Sequence, residues 1–103
     1  MRKNFPLAIE GRHPDRVLDA VKHEIRKYLQ RERRRPVPEG AQFWDFDCRI
    51  GATRDAAEPV PVSELKPRLD TLARDGLASV YIEILARPGV RAAPPADATP
   101  VDG

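Results

Sequence analysis

The stretch FWDFDCRIG, Phe43 to Gly51, decides the fold. In an extended chain Trp44, Phe46, Cys48 and Ile50 fall on one side, and Phe43, Asp45, Asp47 and Arg49 on the other. A period of two marks a strand with one buried and one solvated face. A one-residue slip in pairing would turn every side chain over, so the pattern also fixes which face meets the core. Trp44, Phe46, Cys48 and Ile50 are therefore expected beneath the helices, and Asp45 and Asp47 in solvent.

Outward from this strand, SVYIEILA (79–86) repeats the alternation. Val80, Ile82 and Ile84 point inward, Tyr81 and Glu83 outward, and Pro88 and Gly89 end the run. Upstream, NFPLAIEG sets Phe5, Leu7 and Ile9 against small or polar neighbours until Gly11 breaks the pattern. EPVPV (58–62) reads as a short strand pairing back on FWDFDCRIG. Its prolines, Pro59 and Pro61, are two apart, so both missing donors fall on one edge, which confines the strand to the outside of a sheet. Val17, Leu18, Val21, Ile25, Tyr28 and Leu29 recur at helical spacing. That helix is expected from Pro14, tolerated in a first turn, to Arg34, with Pro36 and Pro38 stopping it. A second helix in SELKPRLDTLARDG places Leu65, Leu69 and Leu72 on one face, with Ser63 as its cap and Gly76 as its stop.

The order βαβ(β)αβ, with one apolar sheet face, predicts an α+β fold: a two-layer α/β sandwich with both helices on the same face. The ferredoxin-like arrangement is the nearest named topology, although its third strand is normally internal, which the two prolines oppose. The chain of 103 residues has room for one domain, expected over 1–90. The tail 91–103 has no aromatic and no apolar period, and is expected to be disordered. Cys48 is the single cysteine, which excludes an intrachain disulfide and suits a reducing compartment. The N-terminus is not a signal peptide, and no stretch is long and apolar enough to span a bilayer, so the cytoplasm is the expected location.

The runs FPLAIEG, HPDRVLDAVKHEIRKYLQRERRR, FWDFDCR and YIEILARPG resemble a family of small bacterial proteins known only as a domain of unknown function. The likeness spans about residues 3–90, with four separate runs in order. It implies a cytoplasmic bacterial protein and carries over no activity, cofactor or site residue.

Function must then come from the side chains, and charge is the clearest signal. Residues 1–35 hold eleven Lys or Arg against five acids, whereas residues 36–103 hold seven against eleven. Most of the excess lies on the first helix. Lys22, His23, Arg26, Lys27, Gln30, Arg33 and Arg34 form the candidate nucleic-acid-binding surface. A solvated helix face whose last arginines complement the dipole is the plainer alternative. Against it stand the like-charge spacings Lys22/Arg26, Lys27/Arg31 and Arg31/Arg35, each costing about 0.2–0.5 kcal/mol in an isolated helix. No helix-turn-helix, zinc-finger or RNP-like motif is present, so phosphate contact without base-specific readout is the expected form. The expected partner is RNA or a ribonucleoprotein, and an acidic protein fits the same charge.

Two weaker candidates remain. GRHPDR joins a strand to a helix N-terminus, where backbone donors with Arg12, His13 and Arg16 could hold an anion. The polar sheet face offers Asp45, Asp47, Arg49, Tyr81 and Glu83 for metal or acid–base chemistry, against which stands the polarity any open sheet needs. The expectation is no catalytic residue, no cofactor and no metal, with Cys48 an inert core thiol.

Overall fold

The computed structural model describes residues 1–90, and the disorder expected over 91–103 lies outside them. β1 (Arg2–Pro6), α1 (Pro14–Arg33), β2 (Phe43–Gly51), β3 (Glu58–Val60), α2 (Leu65–Arg74) and β4 (Ser79–Gly89) follow in the expected order, with a 3-10 turn (Val62–Glu64) leading into α2. The strands form one sheet in the order β1-β4-β2-β3, every pair antiparallel. β3 lies at the edge, where its prolines require it, rather than in the internal place usual for the third strand of a ferredoxin-like sheet.

Register turns alternation into a core. Cys48 stands opposite both Ile84 and Val60, Ile50 opposite Ile82, and Phe5 opposite Val80, so one sheet face is a continuous apolar layer. Val21, Ile25 and Leu29 of α1 and Leu65 and Leu69 of α2 close over it in a single cluster. Both helices therefore lie on one face, as the period of two demanded.

Three local expectations need correcting. β1 ends at Pro6 instead of running on to Ile9. Leu7 and Ala8 both donate to the Ala78 carbonyl, at 2.8 and 3.2 Å, as the chain turns away toward Gly11, whose φ is 82°. Trp44 is half-buried rather than sunk beneath both helices, because its indole Nε1 donates to the Arg35 carbonyl at 2.9 Å just beyond α1. Ser63 does not cap α2, since it lies within the 3-10 turn and α2 starts with no side-chain cap. Pro67 is tolerated there because the first-turn N–H groups have no intrahelical acceptor.

Tyr81 does point outward, yet it is only 4% exposed. The loop after β2 folds back over the outer sheet face beside it. Gly51 pairs with Tyr81, and a Cβ on Gly51 would stand 2.7 Å from the Ala57 Cα. Only glycine lets the loop close there, and the Arg49 guanidinium pins it by donating to the Ala57 carbonyl at 2.8 Å.

Candidate functional site

α1 has 20 residues and so spans about 30 Å, enough for a row of phosphate contacts. At its start His13 is the N-cap, and its Nδ1 accepts from the Asp15 backbone N–H at 3.2 Å. The Asp15 carboxylate sits in the first turn. This end of the helix is thus capped from within and carries a negative charge, which disfavours an anion between Arg12, His13 and Arg16. Arg12 and Arg16 themselves are exposed.

The buried line of α1 runs through Val17, Val21, Ile25 and Leu29 and ends on a carboxylate, Glu32, at 8% exposure. Glu32 accepts from the Arg35 guanidinium at 2.6 Å and lies 3.7 Å from that of Arg31. The Arg31/Arg35 repulsion read from the spacing is thereby relieved. Arg31 also lies over the Tyr28 ring at 5.3 Å and Arg35 over Trp44 at 5.1 Å, contacts worth about 0.5–1 kcal/mol each at exposed sites.

Five of the seven predicted residues share the outer surface: His23, Arg26, Lys27, Gln30 and Arg34 are all exposed. The other two have partners within the fold: Lys22 is half-buried, and Arg33 is exposed but lies against a ring. The Lys22 Nζ is 2.6 Å from Asp70 on α2, with its side chain 26% exposed. The Arg33 guanidinium lies 5.4 Å from the centre of the Phe46 ring. Arg16, which helical spacing sets on this surface with Asp19, lies on the same face as Lys27 and Arg34. Among the described residues no carboxylate stands within ion-pair reach of Arg16, Arg26, Lys27 or Arg34. Asp19 is the exposed acid nearest this face, and Glu24 on the flank is taken by Lys3 of β1 at 2.7 Å.

The outer sheet face behaves differently. Arg87 binds Asp45 through Nη2 at 2.9 Å and Asp47 through Nε at 3.0 Å. Glu83 stands in register between Arg2 of β1 and Arg49 of β2. It accepts from the Tyr81 hydroxyl at 2.8 Å and lies 3.4 Å from Arg2. The Tyr81 hydrogen bond, aided by Arg2 and Arg49, holds the Glu83 carboxyl below its ordinary range against the cost of desolvation. Burial, with Glu83 adding to it, pushes the Tyr81 phenol up. Among the described residues no group of three His, Cys, Asp or Glu side chains is placed to hold a metal ion. Cys48 is 3% exposed, and burial, with Asp47 and Asp45 adding, pushes its thiol up to about 11. A neutral, enclosed thiol is a poor nucleophile.

Sequence reasoning missed the start of β2. There Arg33, Val37, Gln42, Phe43 and Trp44 line a concavity of about 550 Å³ beside the last turn of α1. Its signal was the proline-bounded return from the arginine run to FWDF, which brings the helix end against the strand start.

The molecule is a small two-layer α+β domain built on a four-stranded antiparallel sheet. Its sequence matches the family of unknown function DUF6172 over residues 1–95, and the chain belongs to that family. No curated protein and no solved structure matches it. Among the described residues no helix is long and apolar enough to cross a membrane.

Proposed function

We propose that this protein is a non-enzymatic module that binds nucleic acid, RNA or a ribonucleoprotein, through phosphate contacts on the outer face of α1. The observation that carries this reading is the row Arg16, Arg26, Lys27 and Arg34, exposed and without a carboxylate in reach among the described residues. On the outer sheet face Arg87 and Arg2 are matched with acids, whereas the α1 row is not, and an unmatched row on one rigid element is what a polyanion would neutralise. Phosphate contacts position a partner without reading sequence, in keeping with the lack of a base-reading motif. The single buried cysteine supports a reducing, cytoplasmic setting.

The test is fluorescence anisotropy with labelled RNA across a salt series. With about five phosphates contacted, affinity falls by about two orders of magnitude between about 50 and 200 mM salt. The variant Arg26→Glu, Lys27→Glu, Arg34→Glu keeps its circular dichroism and loses both the binding and the salt slope. Arg33 is left in place because it packs on Phe46. An acidic protein would be held by the same cations. Wild type that ignores RNA at low salt, yet captures an acidic protein in a nuclease-resistant manner, favours that second reading.

A further inference from the structure

We propose that the concavity between the last turn of α1 and the start of β2 takes an unpaired base, so that the nucleic acid held on α1 is single-stranded. This rests on the reading of α1 as a phosphate-binding face. Phe43 and Trp44 line the concavity together with Arg33, Val37 and Gln42. Phe43 is laid flat for the purpose: its ring lies over the backbone of Gly89, where a Cβ would stand 2.7 Å from two ring carbons. Trp44 is fixed from behind by its bond to the Arg35 carbonyl and by Arg35 over its ring. Arg33 of α1 supplies the cation that lines the concavity, and Arg34 beside it in sequence is exposed. The nearest acid on β2, Asp45, is engaged by Arg87 and by the Phe46 backbone N–H.

A rigid aromatic wall next to a row of unmatched cations is the arrangement that binds single strands, with phosphates on the charges and a base stacked on the ring. A duplex keeps its bases inside and cannot use it. Arg33 serves both elements, since it caps Phe46 from α1 and borders the concavity.

Trp44 is the only tryptophan in the chain, so its emission reports on this concavity without interference. The full chain is titrated with a short uridine homo-oligonucleotide and with an RNA duplex of equal phosphate number. The expected result is quenched Trp44 emission with the single strand alone, and tighter binding of the single strand than of the duplex. Phe43→Leu keeps an apolar cover on Gly89 while removing the stacking face. It is expected to weaken single-strand binding by roughly 5- to 100-fold, the worth of one stacked base, and to leave duplex binding unchanged. Phe43→Tyr restores the wild-type affinity. Single-strand binding with unchanged Trp44 emission and an indifferent Phe43→Leu variant overturns the base site and leaves the α1 reading standing. A wild type that binds neither oligonucleotide at low salt overturns both.

Discussion

The outer face of the sheet and the outer face of α1 are both densely charged, and they treat that charge in opposite ways. On the sheet, strands run antiparallel and place unlike charges across from one another: Arg87 faces Asp45, and Glu83 sits between Arg2 and Arg49. On α1 the neighbours three and four residues away along the outer face are mostly of one sign. Among the described residues no second element covers that face to supply acids. A cross-strand ladder consumes its own charge, while an uncovered helix face leaves it for something else. The sheet carboxylates Asp45, Asp47 and Glu83 are ion-paired across strands, and Arg16, Arg26, Lys27 and Arg34 have no carboxylate in reach among the described residues.

Charge reversal is the largest test of that contrast. The triple α1 variant is expected to lose RNA affinity by about two orders of magnitude or more at low salt. A single reversal on the sheet, Arg87→Glu, leaves RNA affinity unchanged and lowers the melting temperature instead. Equal losses of affinity from the two faces would break the comparison.

The second test concerns how firmly the sheet face is built. Gly51→Ala drives a methyl group against the Ala57 backbone and unseats the loop pinned by Arg49. Overpacking of this kind costs about 1–3 kcal/mol, read as a lower denaturation midpoint in urea. The same variant should bind RNA as wild type does, since it leaves the α1 cations in place.

How much of this was legible in the sequence follows from the range of the interactions concerned. Alternation at Phe43–Gly51 and 79–84, and the spacing of Val17, Val21, Ile25 and Leu29, are local, and they yielded the layers and the single buried face. The two prolines placed β3 at the edge. The pairing of Lys22 could not be read because its partner, Asp70, lies on the other helix. Arg33 is exposed, but its contact with the ring of Phe46 on β2 is one that helical spacing does not report. Tyr81 was read correctly as outward, but its burial depends on a loop closing at Gly51, which no periodicity reports. Glu32 sat on the apolar stripe in plain view; helical spacing continues to it from Leu29 and Ile25. Its role as the acid between Arg31 and Arg35 needed the coordinates.

A third test uses pH. The Glu83 carboxyl lies below its ordinary value of 4.5 in the folded chain, mainly through the Tyr81 hydroxyl. Its contribution to stability is therefore present above that value and lost as pH falls through the folded one. Glu83→Gln should lower the melting temperature near neutrality and flatten its decline on acidification. At the alkaline end Cys48 acts in the other sense. Its thiol rises from an ordinary 9.0 to about 11, so the stability it lends is complete below 9.0 and is lost as pH climbs toward about 11. A disulfide-exchange reagent at mildly alkaline pH should leave folded Cys48 unmodified and label it at once after denaturation.

The smallest effect is expected from Arg87→Gln, and it sharpens the comparison most. Arg87, Asp45 and Asp47 have side chains 54%, 41% and 60% exposed, so water and salt screen their attraction. Removing the guanidinium leaves two carboxylates on one face of β2, separated by a single residue. Asp45 still accepts from the Phe46 backbone N–H at 2.8 Å, which keeps it in place. The melting temperature should drop slightly at low ionic strength and match wild type at about 1 M salt, where the screening length is about 3 Å. A deficit that persists at high salt would mean that Arg87 holds β2 and β4 together by packing as well as by charge. The sheet face would then be a structural clamp, and its matched charges would say less about why those of α1 are left unmatched.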